Sequence, residues 1–355
     1  MKWNKHLIIF LLIISLSFSA CDNQKTQSTT KDNVVLQRKD ISNPLASWND
    51  TKAKQRIIDF VNAVTVKGSA DYIPPEDRIA TFDNDGTLWS EKPTYFQIEF
   101  VLDRIKQLSK KNPDWEDEDL IEIALKRDIK TLREEYGAEG LGQLMAIAQA
   151  GITTDEFDII VKRWIKKSKH PITGKSYSQM VFQPMLELIK YLQNSNFKVY
   201  IVSGGGVDFL RAFSKEVYDI PKEQIIGSYD KLEYKKVKGK PVLMKSPELM
   251  FSVEGKNKAI IIHQVIGKKP VISFGNSDGD LQMLEWCSAN KRKSLSAYIH
   301  HTDSKREWAY DRKSHTGRLD KGLDAATKNG WLVVNMKKDW KVIHPYELTE
   351  KVTTK

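Results

Sequence analysis

Cysteine is nearly absent from this chain. The 2 present are Cys21 and Cys287, and with one of them used otherwise no intrachain disulfide is available, so the fold must rest on its core. Cys287 follows Trp286 at the end of an apolar helical pattern and reads as a packed thiol, not a nucleophile. Long hydrophobic runs are also missing. The longest, Leu7 to Phe18, falls short of the roughly 18 to 20 residues of a membrane span. No internal repeat is evident, and His300 and His301 lack metal-ligand spacing to another histidine. The net charge of +10 and pI near 9.2 suit anionic lipid surfaces and anionic substrates. Lys and Arg are nevertheless dispersed among acids without a recognition motif, so no nucleic-acid partner is expected.

The N-terminus has a basic start, Met1-Lys2-Trp3-Asn4-Lys5, then the apolar stretch, then Phe18-Ser19-Ala20-Cys21. This resembles a bacterial lipoprotein signal. The resemblance implies removal of residues 1–20, lipidation of Cys21, and a membrane-anchored protein of the cell envelope facing the periplasm or cell exterior. An uncleaved anchor helix is the alternative. Residues 21–50 are rich in Asn, Gln, Lys, Ser, Thr and Asp and are expected to form a flexible tether. Order is expected from near Thr51, where Ile57, Ile58, Val61 and Val64 mark one helical face.

The chemistry-bearing segments lie further on. The short apolar run Ile79-Ala80-Thr81-Phe82 leads directly into Asp83-Asn84-Asp85-Gly86-Thr87. Two carboxylates two residues apart at a strand end suit a nucleophile and its proton donor, because ligands collect beyond the carboxyl ends of parallel strands. A plain Asx-turn is the competing reading. The apolar run Val199 to Val202 ends in Ser203-Gly204-Gly205-Gly206, a hydroxyl and backbone amides that would cradle phosphate before a helix expected over Val207 to Val217. A helix is expected over Lys256 to Ile266 and a strand over Val271 to Phe274, followed by Gly275-Asn276-Ser277-Asp278-Gly279-Asp280.

In this order the four segments resemble the haloacid dehalogenase superfamily of phosphatases, in its phosphoserine-phosphatase-like branch. The resemblance covers about Ile57 to Val334 and implies an α/β fold, a doubly wound, Rossmann-like parallel sheet with a helical cap inserted after the first motif. By position it makes Asp83 the nucleophile, Asp85 the general acid/base, and Ser203, Gly204 and Lys256 the substrate phosphate ligands, with Lys258 a weaker candidate for the lysine. A Mg²⁺ cofactor is implied, with Asp83, Asp85, Asn276, Asp280 and Asp278 as candidate ligands. The family pattern Gly-Asp-x-x-x-Asp is altered here, since Asn276 holds the place of the first acid. Its neutral carbonyl would remove charge from the cation site without removing the site.

The expected organisation is a core of residues 51–89 and 182–355 with a mobile cap over 90–181, whose helical patterning includes the capping box Thr153-x-x-Glu156. Glu91, Tyr95 and Phe96 lie where they could meet a leaving group. A further strand is expected over Leu295 to Ile299, with His300 or His301 at its end near the substrate; Arg306, Arg312 and Arg318 could contact an anion but read better as a solvated face. The expected activity is Mg²⁺-dependent hydrolysis of small phosphomonoesters outside the cytoplasm. The alternatives are phosphoryl transfer to an organic acceptor and a non-catalytic lipoprotein that binds a phospho-ligand or a protein.

Overall fold

The structure, a computed structural model, describes residues 43–353. The signal segment, Cys21 and most of the expected tether lie outside them. Strands β1 (Ile79–Phe82), β2 (Lys198–Gly206), β3 (Ile225–Val237), β4 (Lys240–Phe251), β5 (Ile272–Gly275), β6 (Leu295–His300) and β7 (Leu332–Asn335) form one sheet in the order β4-β3-β2-β1-β5-β6-β7. All neighbours pair in parallel except β3 with β4. The chain therefore builds outward from β1 to one side and then returns beside it to build the other. The seam between β1 and β5 is a topological switch point, where open α/β sheets bind ligands.

Side chains alternate across the sheet and separate two apolar layers. Phe82, Ile201, Phe274 and Ile299 face one core, shared with the helices Lys52–Thr65 and Gln183–Asn194. Val202, Ile226 and Tyr298 face the other, under the helices Lys256–Ile266, Leu281–Ser288 and Lys321–Asn329. The expected helical face of Ile57, Val61 and Val64 is buried.

Three expectations change. The tether stops earlier than residue 50: Leu45 and Trp48 are fully buried, the Trp48 indole donates to the Pro184 carbonyl at 3.0 Å and meets Trp340 edge-on, and Ser47 bonds Glu187. Two large apolar side chains in a polar stretch suffice to bring the backbone down onto the core. The helix expected over Val207 to Val217 is two short ones, Val207–Arg211 and Ser214–Tyr218. The long β3–β4 hairpin was not anticipated; its β4 strand is bridged to the insertion through Lys245 and Ile152.

The inserted segment is helical, with Phe96–Ser109, Asp119–Lys126, Gly137–Gln149 and Thr154–Lys167 as its main helices. Thr153 and Glu156 form the capping box. Its apolar side chains join the core under the sheet: Phe100 packs on Phe209 at 5.4 Å and Trp89 on Phe96 at 4.8 Å and Phe213 at 5.0 Å. Residues 43–353 lie within one compact unit. Among the described residues no helix is long and apolar enough to cross a membrane.

Candidate active site

Register places the motifs side by side. Phe82 is level with Ile201 and Phe274, so Asp83, Ser203 and Asn276 leave three adjacent strand ends within a residue or two of one another. Thr87 Oγ1 donates to Asp83 Oδ2 at 3.3 Å or to Asn276 Oδ1 at 3.2 Å. Those two oxygens therefore face a common point.

The lysine at this point is Lys258, not Lys256. Lys258 is 2 % exposed and its Nζ donates to Asp83 Oδ1 and Asp280 Oδ1, both at 2.6 Å. Lys256 opens the same helix and is solvent-exposed. Helix phase explains the correction: Lys258, Ile261 and Ile262 are buried on one face, at i, i+3 and i+4. Burial alone would lower the Lys258 pKa, but Asp280 and Asp83 outweigh it and raise it, so the ammonium stays charged.

Two fourth-motif acids also take other positions. Asp280 is fully buried, with Oδ1 on Lys258 and Oδ2 accepting from the Asn276 and Ser277 amides, so it anchors the lysine and the loop and offers no open ligand. Asp278 turns away, its Oδ1 accepting from the Asp320 and Gly322 amides at 2.9 and 2.8 Å. Of that motif, Asn276 alone points at Asp83.

On the other side of Asp83, the Ser203 hydroxyl is fully buried and accepts from the Gly205 amide at 3.0 Å. A Cβ on Gly205 would lie 3.3 Å from Ser203 Oγ and 3.8 Å from Asp85 Oδ2, so this glycine separates the hydroxyl from the second acid. Gly204 lies beside the carboxylate end of Glu254. Gly206 donates to Gln97 Oε1 at 2.8 Å; Gln97, from the insertion, closes the loop and carried no sequence signal. Asp85 Oδ1 accepts from the Trp89 indole at 2.7 Å, and burial pushes its pKa up to about 6 despite that bond. Its carboxylate is thus turned toward the aromatic cluster.

Glu91 completes the arrangement. It is 1 % exposed, and its Oε1 accepts from Asn276 Nδ2 and from the Tyr310 hydroxyl, each at 2.7 Å. His301 is buried between the Gly86 carbonyl, 2.7 Å from Nε2, and Glu307, 2.9 Å from Nδ1, and stacks on Tyr310. It supports the first-motif turn. His300 lies 3.3 Å from Asp311. Phe96 is buried in the aromatic cluster, whereas Tyr95 is partly exposed and its hydroxyl accepts from Gly317. Arg306 bonds Asp303 and nearby carbonyls, while Arg312 and Arg318 bond Asp320; none of the three joins the site.

Charge is unbalanced here. Burial, then Asp280, push the Asp83 pKa well up, and Lys258 offsets only part of this. Burial also raises Glu91. Among the described residues no three His, Cys, Asp or Glu side chains form a metal cage. The donors that do face one point, Asp83 Oδ2 and Asn276 Oδ1, are oxygens, which suits a hard cation that keeps several waters. A cleft of about 480 Å³ lined by Lys52, Arg56 and Asp59 reaches Leu295 at the amino end of β6, the wrong end of the sheet for ligands of this fold.

Among curated proteins none matches the sequence. Solved structures resemble it weakly. A functionally unknown protein of Anaerococcus prevotii DSM 20548 is 17% identical, with 81% of this chain and 93% of that one covered and a TM-score of 0.48. A phosphoserine phosphohydrolase-like protein of Francisella tularensis is 16% identical over 74% and 97%, TM-score 0.40. A probable phosphoserine phosphatase of Vibrio cholerae is 15% identical over 73% and 67%, TM-score 0.36. The model of the haloacid dehalogenase-like hydrolases matches residues 80–285, which include Asp83, Asp85, Glu91, Ser203, Lys258 and Asn276. The chain belongs to the haloacid dehalogenase-like hydrolase family, and with it to the hydrolases.

Proposed function

We propose that this protein is a Mg²⁺-dependent phosphomonoesterase of the phosphoserine-phosphatase-like branch, acting on small phosphorylated molecules from a lipid-anchored position outside the cytoplasm. The observation that carries the chemistry is the placement of Asp83 with one oxygen on Lys258 and the other facing Asn276. A carboxylate attacking a phosphate anion meets repulsion that cations must offset. Lys258 supplies one positive charge. Asp83 Oδ2 and Asn276 Oδ1 would hold Mg²⁺, which supplies the further charge stabilisation that phosphoryl transfer requires.

Asp83 attacks phosphorus, the bond to the leaving oxygen breaks, and Asp83 carries the phosphoryl group. Asp85, held protonated below about pH 6 by burial, donates its proton to the leaving oxygen. It then takes a proton from the water that releases phosphate. Ser203 and the Gly204 amide would receive phosphate oxygens. The anchor rests on the Cys21 resemblance alone.

The test is hydrolysis of a panel of small phosphomonoesters, p-nitrophenyl phosphate included, by wild type and Asp83→Asn, with Mg²⁺ and after chelation. Wild type is expected to be active with Mg²⁺ and to lose activity on chelation; with alkyl phosphates, whose leaving oxygen needs a proton, its rate should fall as pH rises above about 6, where Asp85 loses its proton. Asp83→Asn should lose about a thousandfold or more while staying folded. A wild type no faster than the variant removes the hydrolase mechanism. Product with an added alcohol as acceptor would instead indicate transfer.

A further inference from the structure

An amide stands where this family carries a carboxylate, and an amide has two ends. Only its oxygen can serve a cation. In this chain the amide is fixed by a buried neighbour: Glu91 Oε1 takes a hydrogen from Asn276 Nδ2 at 2.7 Å, which turns Asn276 Oδ1 toward Thr87 Oγ1 and Asp83 Oδ2. Oε1 already accepts from the Tyr310 hydroxyl and so presents a lone pair to the amide, and the reversed amide would set oxygen against oxygen. Glu91 is itself held. Tyr310 donates to the same oxygen, and Gly86 and Gly317, at φ of +74° and +66°, both crowd it so closely that neither could carry a side chain. Glu91 and Asn276 are each 1 % exposed, so water does not compete for the bond.

We infer that Glu91 is the positioning residue of the cation site and that the pair Glu91–Asn276 replaces a single ligating acid. The amide supplies the ligand oxygen. Glu91 sets the amide's orientation, and its acid stands one residue further out, where a bound cation would favour the ionised form. This rests on the proposed Mg²⁺ site. It adds that acid and amide are interchangeable as a pair but not singly: Asn276→Asp alone restores the usual family acid yet places a second carboxylate against Glu91. A gain of the usual residue should therefore weaken the site.

The test is a four-protein cycle on the full chain, comprising wild type, Glu91→Gln, Asn276→Asp and the double substitution. The readout is the Mg²⁺ concentration that raises the melting temperature half-maximally, which needs no turnover. Outer partners of metal ligands typically contribute about 10- to 100-fold in affinity. Each single substitution is expected to weaken Mg²⁺ binding by about tenfold or more, and the double substitution to return to within a few-fold of wild type, with one acid and one amide again present. In chelator, Asn276→Asp should melt below wild type by an amount that the second substitution recovers.

Singles that bind Mg²⁺ as wild type does overturn the inference, as does a double no better than the weaker single. Either result leaves the phosphatase reading intact. A wild type whose melting temperature ignores Mg²⁺ overturns both.

Discussion

At Lys258, one buried ammonium bonds two carboxylates, and removing it strands both. Breaking a buried pair from one side costs more than the pair contributes, and here the orphaned groups include the nucleophile. Lys258→Met is expected to lower turnover by about 100- to 1000-fold, whereas Lys256→Met, on the solvent side of the same helix, should leave it within about twofold. Steady-state rates of the two variants decide this, and equal losses would refute the assignment. The same helix shows what was legible. Asp83, Asp85, Ser203 and Asn276 could be read because each follows a short apolar strand within a few residues. Lys256 matches the family lysine by position, whereas burial of Ile261 and Ile262 selects Lys258. Helical phase was the missed signal. Glu91, by contrast, meets Tyr310 across 219 positions, and nothing local announces such a contact.

Elements explain why the site keeps its shape. Trp89 bonds Asp85 and stacks in the cluster of Phe96, Phe209 and Phe213, so the insertion and the helices after Ser203 grip the general acid through one aromatic core. Phe100 contacts Phe157, Trp164 and Phe209 within 6 Å. Phe100→Ala should cost about 3 to 5 kcal/mol. If the insertion shares the core, thermal unfolding stays a single transition at lower temperature; a separate early transition in calorimetry would show an independent cap. Strands with one consistently buried character were legible, notably Ile79–Phe82 and Leu295–His300. The β3–β4 hairpin was not, because β3 is buried only over Ile225 to Ser228 and both strands are mostly exposed beyond it. The segment 43–50 was lost in the opposite way, as two anchoring side chains were outweighed by polar neighbours.

For the whole molecule, the central claim is that a sheet wound in both directions from β1 brings Ser203, Lys258, Asn276 and Asp280, drawn from more than half the chain, to one carboxylate that carries phosphate in transit. The fold class was readable because four strand ends in order admit few arrangements; the pairing across the seam was not, since it depends on side chains that meet only after the sheet forms. The most direct measurement is mass spectrometry of protein mixed with p-nitrophenyl phosphate and Mg²⁺, quenched early in acid and digested, for wild type and Asp85→Asn. Nitrophenolate leaves with little help from an acid, whereas release of the phosphoryl group needs a base, so the variant should accumulate the intermediate. The account predicts a phosphate-sized mass gain on the peptide bearing Asp83, stronger in Asp85→Asn than in wild type. Turnover with no labelled peptide, or a label on Ser203 in place of Asp83, would contradict it.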